Sequence, residues 1–586
     1  MERKQFRPIG LLLMALCILV GGRPVMAQDI SQIAKSDPLI ITGAVGTNNT
    51  YYYSSISSGY ASPLTNSAYA NLNINIYGFS MPFSLYYSNN NLGFNYPTFS
   101  FNISPSYKNW RLHIGQRSMA FSSYTFNLPF NGIGLEYNGN KLRFGTFYGA
   151  LRNAVNDDPY SPTARPPQYK RMAWGARFGV GTSTNYLDLY LLRAWDSYMS
   201  ISDGWHNIDL LEQRGMHDPF AQENIVVGLK GRVSLKNWAA ITANASGSVF
   251  STDVNAGIIE LPRFRRWDKI FDVRYSTLAR FAGDAALNLN FGPFAAAFQY
   301  KMIQPDYTSM GISYVSNNLQ SLGVSMNTTL FKRLALSGSF SAQEDNLSNV
   351  QMYTTRGFVY DANGSMSLGK YVNLAAHYNG YLQRQYDGAY EINDSIRVNR
   401  RMDSYSFGPT FSFSSSNASH TISLSGSYTS NLDLNPFTNN NHETDVNTLS
   451  AGASYGLGLQ NIETNISTSY SHQQSMGYGT LYSTDVVSVG ASHAFLEDKT
   501  LNASFTVSCC FNNMIGQTKK TSIGADASLG YTLKQVHVFS FSAGYNTFND
   551  INITVDEHQI GRDLSLSLNY SYAFTLYKLK LDAEGM

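Results

Sequence analysis

The sequence has little charge, few cysteines and only one long apolar run. Asp, Glu, Lys and Arg make up 14% of its 586 residues, against roughly a quarter in typical soluble domains. After the N-terminal run, no stretch is long enough for a transmembrane helix. The net charge of +2 gives no sign of nucleic-acid binding. Cys509 and Cys510 are adjacent, so on a strand they would point to opposite faces, and we expect free thiols.

The N-terminus has the features of an export signal. Three basic residues in the first seven precede an apolar run at 9–20, which is too short to span a membrane as a stable helix. Val25 at position −3 and the small residue Ala27 at position −1 favour cleavage after Ala27. We therefore predict a signal peptide at 1–27 and a short periplasmic segment at 28–38.

Beyond residue 38 the dominant pattern is alternation of apolar and polar residues. In the stretch 564–574, Leu, Tyr and Phe alternate with Ser and Asn. Similar stretches of about ten residues recur along the chain, which is the length of a tilted membrane-crossing strand. Aromatic residues make up 14% of the sequence. One apolar face and one polar face on every strand predict a transmembrane antiparallel up-and-down β-barrel over 39–586, without a plug domain.

The connections between these stretches also alternate in length. Short turns, such as 138–140 and 331–333, are separated by longer polar segments, such as 196–221 and 546–560. Short periplasmic turns and long external loops are typical of outer-membrane barrels. The pattern predicts about 26 strands, with a range of 22–28. A secreted propeller or adhesin array would instead show a repeated motif or linkers, and the sequence has neither.

No pattern in the sequence indicates catalysis. Zinc-protease, serine-hydrolase, nucleotide-binding and calcium-loop motifs are all missing. The polar cluster at 442–445 is interpreted as a solvated loop. We expect a protein that is not an enzyme and that needs neither a cofactor nor a metal.

Basic residues on the polar face of the first strands are the best site candidates. They are Arg111, Arg143, Arg171, Arg177, Lys230 and Arg232. Acidic residues on neighbouring strands could pair with them. They are interpreted either as a charged lumen wall that tunes passage or as cross-strand pairs that stabilise the barrel.

A second candidate group lies in the longest loop. Residues 263–271 are the densest mixture of charge and aromatic side chains, and include Arg265, Arg266 and Trp267. Because exposed Trp and Phe are unfavourable, this loop either folds inward, docks a partner, or is an ordinary surface loop.

Several stretches resemble outer-membrane barrels of the Bacteroidota. They are GQRSMAFS at 115–122, FNGIGLEY at 130–137 and QPDYTSMG at 304–311. They are similar to the barrel of the type IX secretion translocon and to its uncharacterised relatives. The resemblance implies an outer-membrane location more than a particular activity.

Two functions follow as hypotheses. The first is a large transport or secretion conduit in the bacterial outer membrane, plugged or gated by a periplasmic or lipoprotein partner. The second is a structural barrel whose external loops bind a partner or a glycan. Outer-membrane lipid is an expected partner in both cases, and nucleic acid is not.

Overall fold

The chain forms one closed antiparallel β-barrel. The computed structural model describes residues 39–56, 63–89, 99–119, 121–161, 164–213, 215, 219–259, 271–439, 444–496, 498–552 and 557–579. Its strands are β1 (Leu39–Ser54), β2 (Leu64–Ile76), β3 (Phe79–Ser88), β4 (Phe99–Ile103), β5 (Ser106–Tyr107), β6 (Trp110–Ser118), β7 (Pro129–Asn138), β8 (Leu142–Arg152), β9 (Lys170–Gly181), β10 (Tyr186–Ser197), β11 (Glu223–Lys236), β12 (Ala239–Ser251), β13 (Thr277–Phe291), β14 (Phe294–Ile303), β15 (Leu319–Leu330), β16 (Leu334–Asp345), β17 (Tyr353–Leu368), β18 (Val372–Asp387), β19 (Asn399–Ser414), β20 (Ala418–Asp433), β21 (Val446–Leu459), β22 (Thr464–Gly477), β23 (Thr480–Phe495), β24 (Leu501–Met514), β25 (Thr518–Leu533), β26 (His537–Asn552) and β27 (Glu557–Leu579).

Closure leaves no unpaired edge among these strands. β4 and β5 are two pieces of one wall strand, since both pair with β3 and β6. The wall therefore has 26 strands, and the predicted fold class and strand number are confirmed. β1 pairs with β27 from Leu39 opposite Leu579 to Ser54 opposite Asp563. This pairing satisfies the backbone groups that a hydrocarbon environment could not hydrogen-bond.

The two faces of the wall differ in chemistry. On β15, Leu322 and Met326 are exposed on one face, while Ser321 and Ser325 lie on the other. Directly opposed residues on neighbouring strands share a face, so this division propagates around the closed wall. The exposed apolar face is the outside of the barrel and the polar face lines the lumen. The described helices include none that is long and apolar enough to cross a membrane.

Connection lengths alternate over most of the chain, but not at its end. The long loop expected at 546–560 is wrong, because β26 continues to Asn552 and β27 begins at Glu557. The β22–β23 connection is only residues 478–479, although it lies at the same end of the barrel as the long loops. Here polar residues belong to strands that extend beyond the apolar band. Polarity in the sequence therefore marks the rim of the barrel and not always a loop.

The signal peptide predicted at 1–27 and the segment at 28–38 lie outside the described residues. The expected absence of a plug domain concerns the same region. The first described strand, β1, begins at Leu39.

Candidate functional site on the inner wall

Two connections fold into the lumen and pack against the inner face of the barrel wall. We call them the β6–β7 segment (residues 121–128) and the β14–β15 segment (residues 304–312). Both start from strands that stop early, since β6 has 9 residues and β14 has 10. Because these strands end below the rim, the connections that follow them enter the barrel at that height.

The two segments are hydrogen-bonded to each other. The Ser309 hydroxyl donates to the Thr125 carbonyl at 2.7 Å, and the Tyr307 hydroxyl donates to the Tyr124 carbonyl at 2.8 Å. The backbone N–H of Asn127 donates to the Gly311 carbonyl at 2.9 Å. These bonds join parts of the chain more than 180 residues apart. The segments therefore form one structural unit inside the lumen.

Polar side chains of β11 and β12 anchor this unit to the wall. The Ser122 hydroxyl donates to Asn244 Oδ1 at 2.8 Å, and the Thr125 and Ser246 hydroxyls lie 3.0 Å apart. Asn224 Oδ1 accepts the backbone N–H of Met310 at 3.0 Å. Buried polar groups are costly unless they are paired, so these matched partners favour one position of the segments.

An aromatic cluster fills the space between the β6–β7 segment and the wall. The Phe126 ring stacks on Phe147 of β8 with centroids 4.3 Å apart, and Phe130 stacks on the same ring at 4.6 Å. Burial of each such side chain contributes about 1.5–3 kcal/mol. The full cluster comprises Met119, Phe121, Phe126, Phe130, Phe147, Ala173, Tyr190, Leu192, Ala194, Val226, Phe250 and Met310.

Glycines on the wall make room for this cluster. A Cβ at Gly175 would lie 2.3 Å from the Phe147 ring. A Cβ at Gly228 would lie 2.5 Å from the Thr125 hydroxyl. A non-bonded Cβ does not come this close to another heavy atom, so larger side chains at these inward positions would displace the segments. The wall and the inserted unit fit each other in detail.

The two tyrosines of the unit are held as neutral donors. Burial raises the pKa of Tyr307 well above its ordinary value. Burial also raises the pKa of Tyr124, and a hydrogen bond to the Asp284 carboxylate adds to the effect. Both hydroxyls therefore stay protonated over the physiological range, and the contacts they make do not change with pH there.

Arg143 and Arg171 lie on the inward face, and each is paired with a carboxylate. Arg143 donates to Asp188 at 2.7 Å. Arg171 donates to Asp196 at 2.8 Å and to Gln222 at 3.0 Å. These contacts agree with the interpretation of cross-strand pairs that stabilise the wall.

Arg111 and Arg177 also lie on the inward face. Arg177 donates to the side-chain oxygen of Asn138 at 2.9 Å. Arg111 lies opposite Glu136, and the Glu136 carboxylate is 3.0 Å from the His113 ring. Neither arginine has a carboxylate to itself, so part of their charge faces the lumen.

Lys230 and Arg232 lie on the same inward face of β11, and their charges have still fewer partners. Lys230 is opposite Asp188, which Arg143 already occupies. Within the described residues, no ion pair involves either side chain, and the buried Nε of Arg232 has no acceptor. Together with Arg111, Arg143 and Arg177 they form what we call the basic wall, near the short-turn end of the barrel.

The loop candidates Arg265, Arg266 and Trp267 lie outside the described residues. Sequence reasoning missed the inserted unit itself. One signal was available, because β8 and β10 carry large apolar residues on both faces, as at Phe147 and Tyr148. An apolar residue on the lumen face requires something to cover it.

The lumen face of the neighbouring strands β15–β21 is lined mainly by small polar residues. A recess of about 680 Å³ runs along β15–β21, with Ser337, Asn363, Ser365, His377 and Ser427 among its lining residues. None of the described His, Cys, Asp and Glu residues form a group suited to a metal ion. This side offers a polar, hydrated surface.

No protein-family model and no curated protein match the chain. Several solved structures are distantly similar to it. The P pilus usher (PapC) translocation pore is 12% identical with a TM-score of 0.33, over 92% of this chain and 100% of that one. OccAB3 of Acinetobacter baumannii is 12% identical with a TM-score of 0.30, over 61% and 94%. OccK8 (OprE) of Pseudomonas aeruginosa is 10% identical with a TM-score of 0.28, over 61% and 93%. These scores are too low to carry an argument about function.

Proposed function

We propose that this chain is an integral outer-membrane β-barrel that serves as a wide passage for polar solutes, with a net preference for anions. The observation that carries the proposal is the inner wall, which is polar on one side and carries unpaired positive charge on the other. A circular barrel of 26 strands would measure roughly 50 Å across its backbone, from the usual strand spacing and tilt. A lumen of this width leaves space for solute beside the inserted unit.

The membrane location is supported by the outer surface. Exposed large apolar side chains recur on every strand of the closed wall, with Ile133 on β7 and Ile241 on β12 as examples. So extensive an apolar surface is unfavourable in water and suits hydrocarbon.

The basic wall supports the preference for anions. Lys230 and Arg232 have no ion pair in the described part of the chain, so their charge acts on the solute path. Charged rings and walls set the selectivity of pores. The polar residues of the recess on β15–β21 provide a neutral surface beside the basic wall, where solutes can form hydrogen bonds.

We also propose a more specific role in secretion, in which a partner protein fills the wide lumen. It is supported by the resemblance to the type IX translocon barrel. Two of the stretches that carry the resemblance, 115–122 and 304–311, contribute to the two inserted segments that contact each other. Paired motifs of this kind would serve the construction of the lumen.

The alternative proposal is a barrel whose external end binds a partner. It is favoured by large apolar side chains exposed in the connections, such as Met199 at 88% and Tyr314 at 82%. Exposed apolar groups of this size are typical of docking surfaces.

Single-channel recording in a planar bilayer tests the passage. We expect large, stable openings, with a reversal potential in a salt gradient that indicates anion preference. The double substitution Lys230→Gln and Arg232→Gln should reduce that preference and leave the conductance nearly unchanged. Lys332→Gln, in the β15–β16 turn, is the control. Folded wild-type protein without conductance would contradict the passage and favour the alternative.

A further inference from the structure

The outer surface carries a group of arginines on three neighbouring strands. Arg356 of β17, Arg384 of β18 and Arg401 of β19 form what we call the outer arginine cluster. Alternation places each of them on the apolar, outward face, since Arg401 shares its face with the exposed Tyr405 and Phe407. All three side chains are exposed.

The cluster lies one membrane thickness from the short-turn end. On β17 the outward apolar residues extend over 358–368, and on β18 they extend over 372–382. A tilted strand crosses the hydrocarbon in about 9–11 residues. Arg356 and Arg384 come directly beyond these runs, at the end where the long connections lie. Their guanidinium groups are therefore at the level of lipid headgroups.

The arrangement of charge is unfavourable for the protein alone. Arg356 and Arg384 are directly opposite each other in the antiparallel register, and like charges in such positions are destabilising. Arg356 is paired with Glu344 through Nε at 2.9 Å. The Arg384 side chain has neither an ion pair nor a hydrogen bond with any residue that the structure describes.

The third arginine is held in place by a buried carboxylate. Arg401 Nε contacts Asp403 at 2.6 Å. The same carboxylate accepts hydrogen bonds from Tyr360 at 3.2 Å and from Tyr378 at 3.0 Å. Asp403 is 6% exposed, so its carboxylate oxygens accept hydrogen bonds only from partners within the protein. The Nε contacts of Arg356 and Arg401 leave their terminal nitrogens available for another anion.

We infer that the outer arginine cluster binds the phosphate groups of an anionic lipid in the external leaflet. Three guanidinium groups against two carboxylates leave a net positive charge, and planar guanidinium forks match phosphate oxygens. The Tyr386 ring lies 5.0 Å from the guanidinium carbon of Arg356 and limits its motion. The inference rests on the proposed membrane location, but not on conduction through the lumen.

Lipid affinity of the purified, detergent-folded protein tests this inference. The probe is bisphosphorylated lipid A, compared with the same lipid after removal of its phosphates. We expect wild-type protein to retain the phosphorylated form in native mass spectrometry and to unfold at a higher temperature in its presence. Arg384→Gln should weaken binding about tenfold, which is the loss expected for one charged hydrogen bond.

Arg400→Gln is the matched control, because Arg400 is next to Arg401 of the cluster in the sequence but faces the lumen. This control should leave lipid affinity unchanged. Arg384→Lys should retain part of the affinity that Arg384→Gln loses. Equal binding of the phosphate-free lipid would overturn the inference, as would equal losses in Arg384→Gln and Arg400→Gln. Stabilisation by inorganic phosphate alone to the same extent would assign the cluster to a free anion instead. Conductance is recorded separately, so a failed passage and a failed lipid site are distinguishable.

Discussion

The wall of β7–β14 and the wall of β15–β27 follow the same alternating pattern but are built differently inside. The first carries Phe147, Tyr190 and Leu192 on its lumen face, buried beneath inserted chain. The second carries mainly Ser, Asn and Gly there, as at Ser337 and Ser427 in its open recess. Strand pairing thus determines the barrel, while the size of the inward residues determines which part of the lumen is occupied.

The two walls also differ in the space around their inward glycines. In the first wall, inward glycines such as Gly175 touch a neighbouring ring, whereas a Cβ at Gly323 in the second wall would be no closer than 3.8 Å to another atom. The same residue is therefore required by packing in one wall and only compatible with the strand in the other.

The largest expected effect comes from filling these two glycine positions. Gly175→Leu should prevent assembly of the folded barrel, because the new side chain overlaps Phe147. Gly323→Leu should be tolerated, since it projects into open lumen. Heat-modifiable mobility and urea unfolding in detergent measure both. Equal destabilisation of the two variants would remove the distinction between the walls.

Truncation of a buried ring should come next in size. Phe126→Ala should lower the free energy of unfolding by about 3–5 kcal/mol, because it leaves a cavity between the segment and Phe147. Phe505→Ala is the matched control, as that ring is exposed on the outer face, and it should cost much less. Urea unfolding of both variants is the measurement. A small loss for Phe126→Ala would mean that the inserted unit is not packed as described.

A covalent lock tests whether the inserted unit moves. The Thr125 and Ser246 hydroxyls are 3.0 Å apart, so the pair Thr125→Cys and Ser246→Cys should form a disulfide on oxidation. Because we expect the unit to be static, single-channel conductance should be the same before and after reduction. Ser427→Cys with Ser450→Cys, opposed on the second wall, is the control. A conductance that rises only when the first pair is reduced would identify the unit as a gate.

The smallest effect concerns a connection above the first wall. Arg165 donates two hydrogen bonds of 2.8 Å to the Asp157 carboxylate, and these bonds lower the pKa of Asp157 to about 2. A lowered pKa means that the ion pair stabilises the loop above about pH 4. That stabilisation is lost as the pH falls towards 2. Protection factors from hydrogen exchange, which divide out the intrinsic pH dependence of amide exchange, should fall in acid for this loop in wild-type protein and not in Asp157→Asn.

The sequence predicts the orientation of the basic site residues but not their partners. The alternation on β8, β9 and β11 predicts the inward face of Arg143, Arg177 and Lys230, and the register gives them that orientation. It could not indicate which of them is paired, because Asp188 reaches Arg143 and leaves Lys230 without an ion pair. That choice depends on side-chain reach across two strands. Whether these residues line a passage remains a proposal.

The sequence by itself determined the all-β class, the number of strands and the two faces, because period-two alternation and strand length are local properties. Only the tertiary structure decided the contents of the lumen. Thr125 and Ser309 meet because 26 strands close into one wall and bring connections 184 residues apart to the same place. The packing of Phe126 on Phe147 likewise requires a chain segment to turn inward, and no local pattern encodes that path.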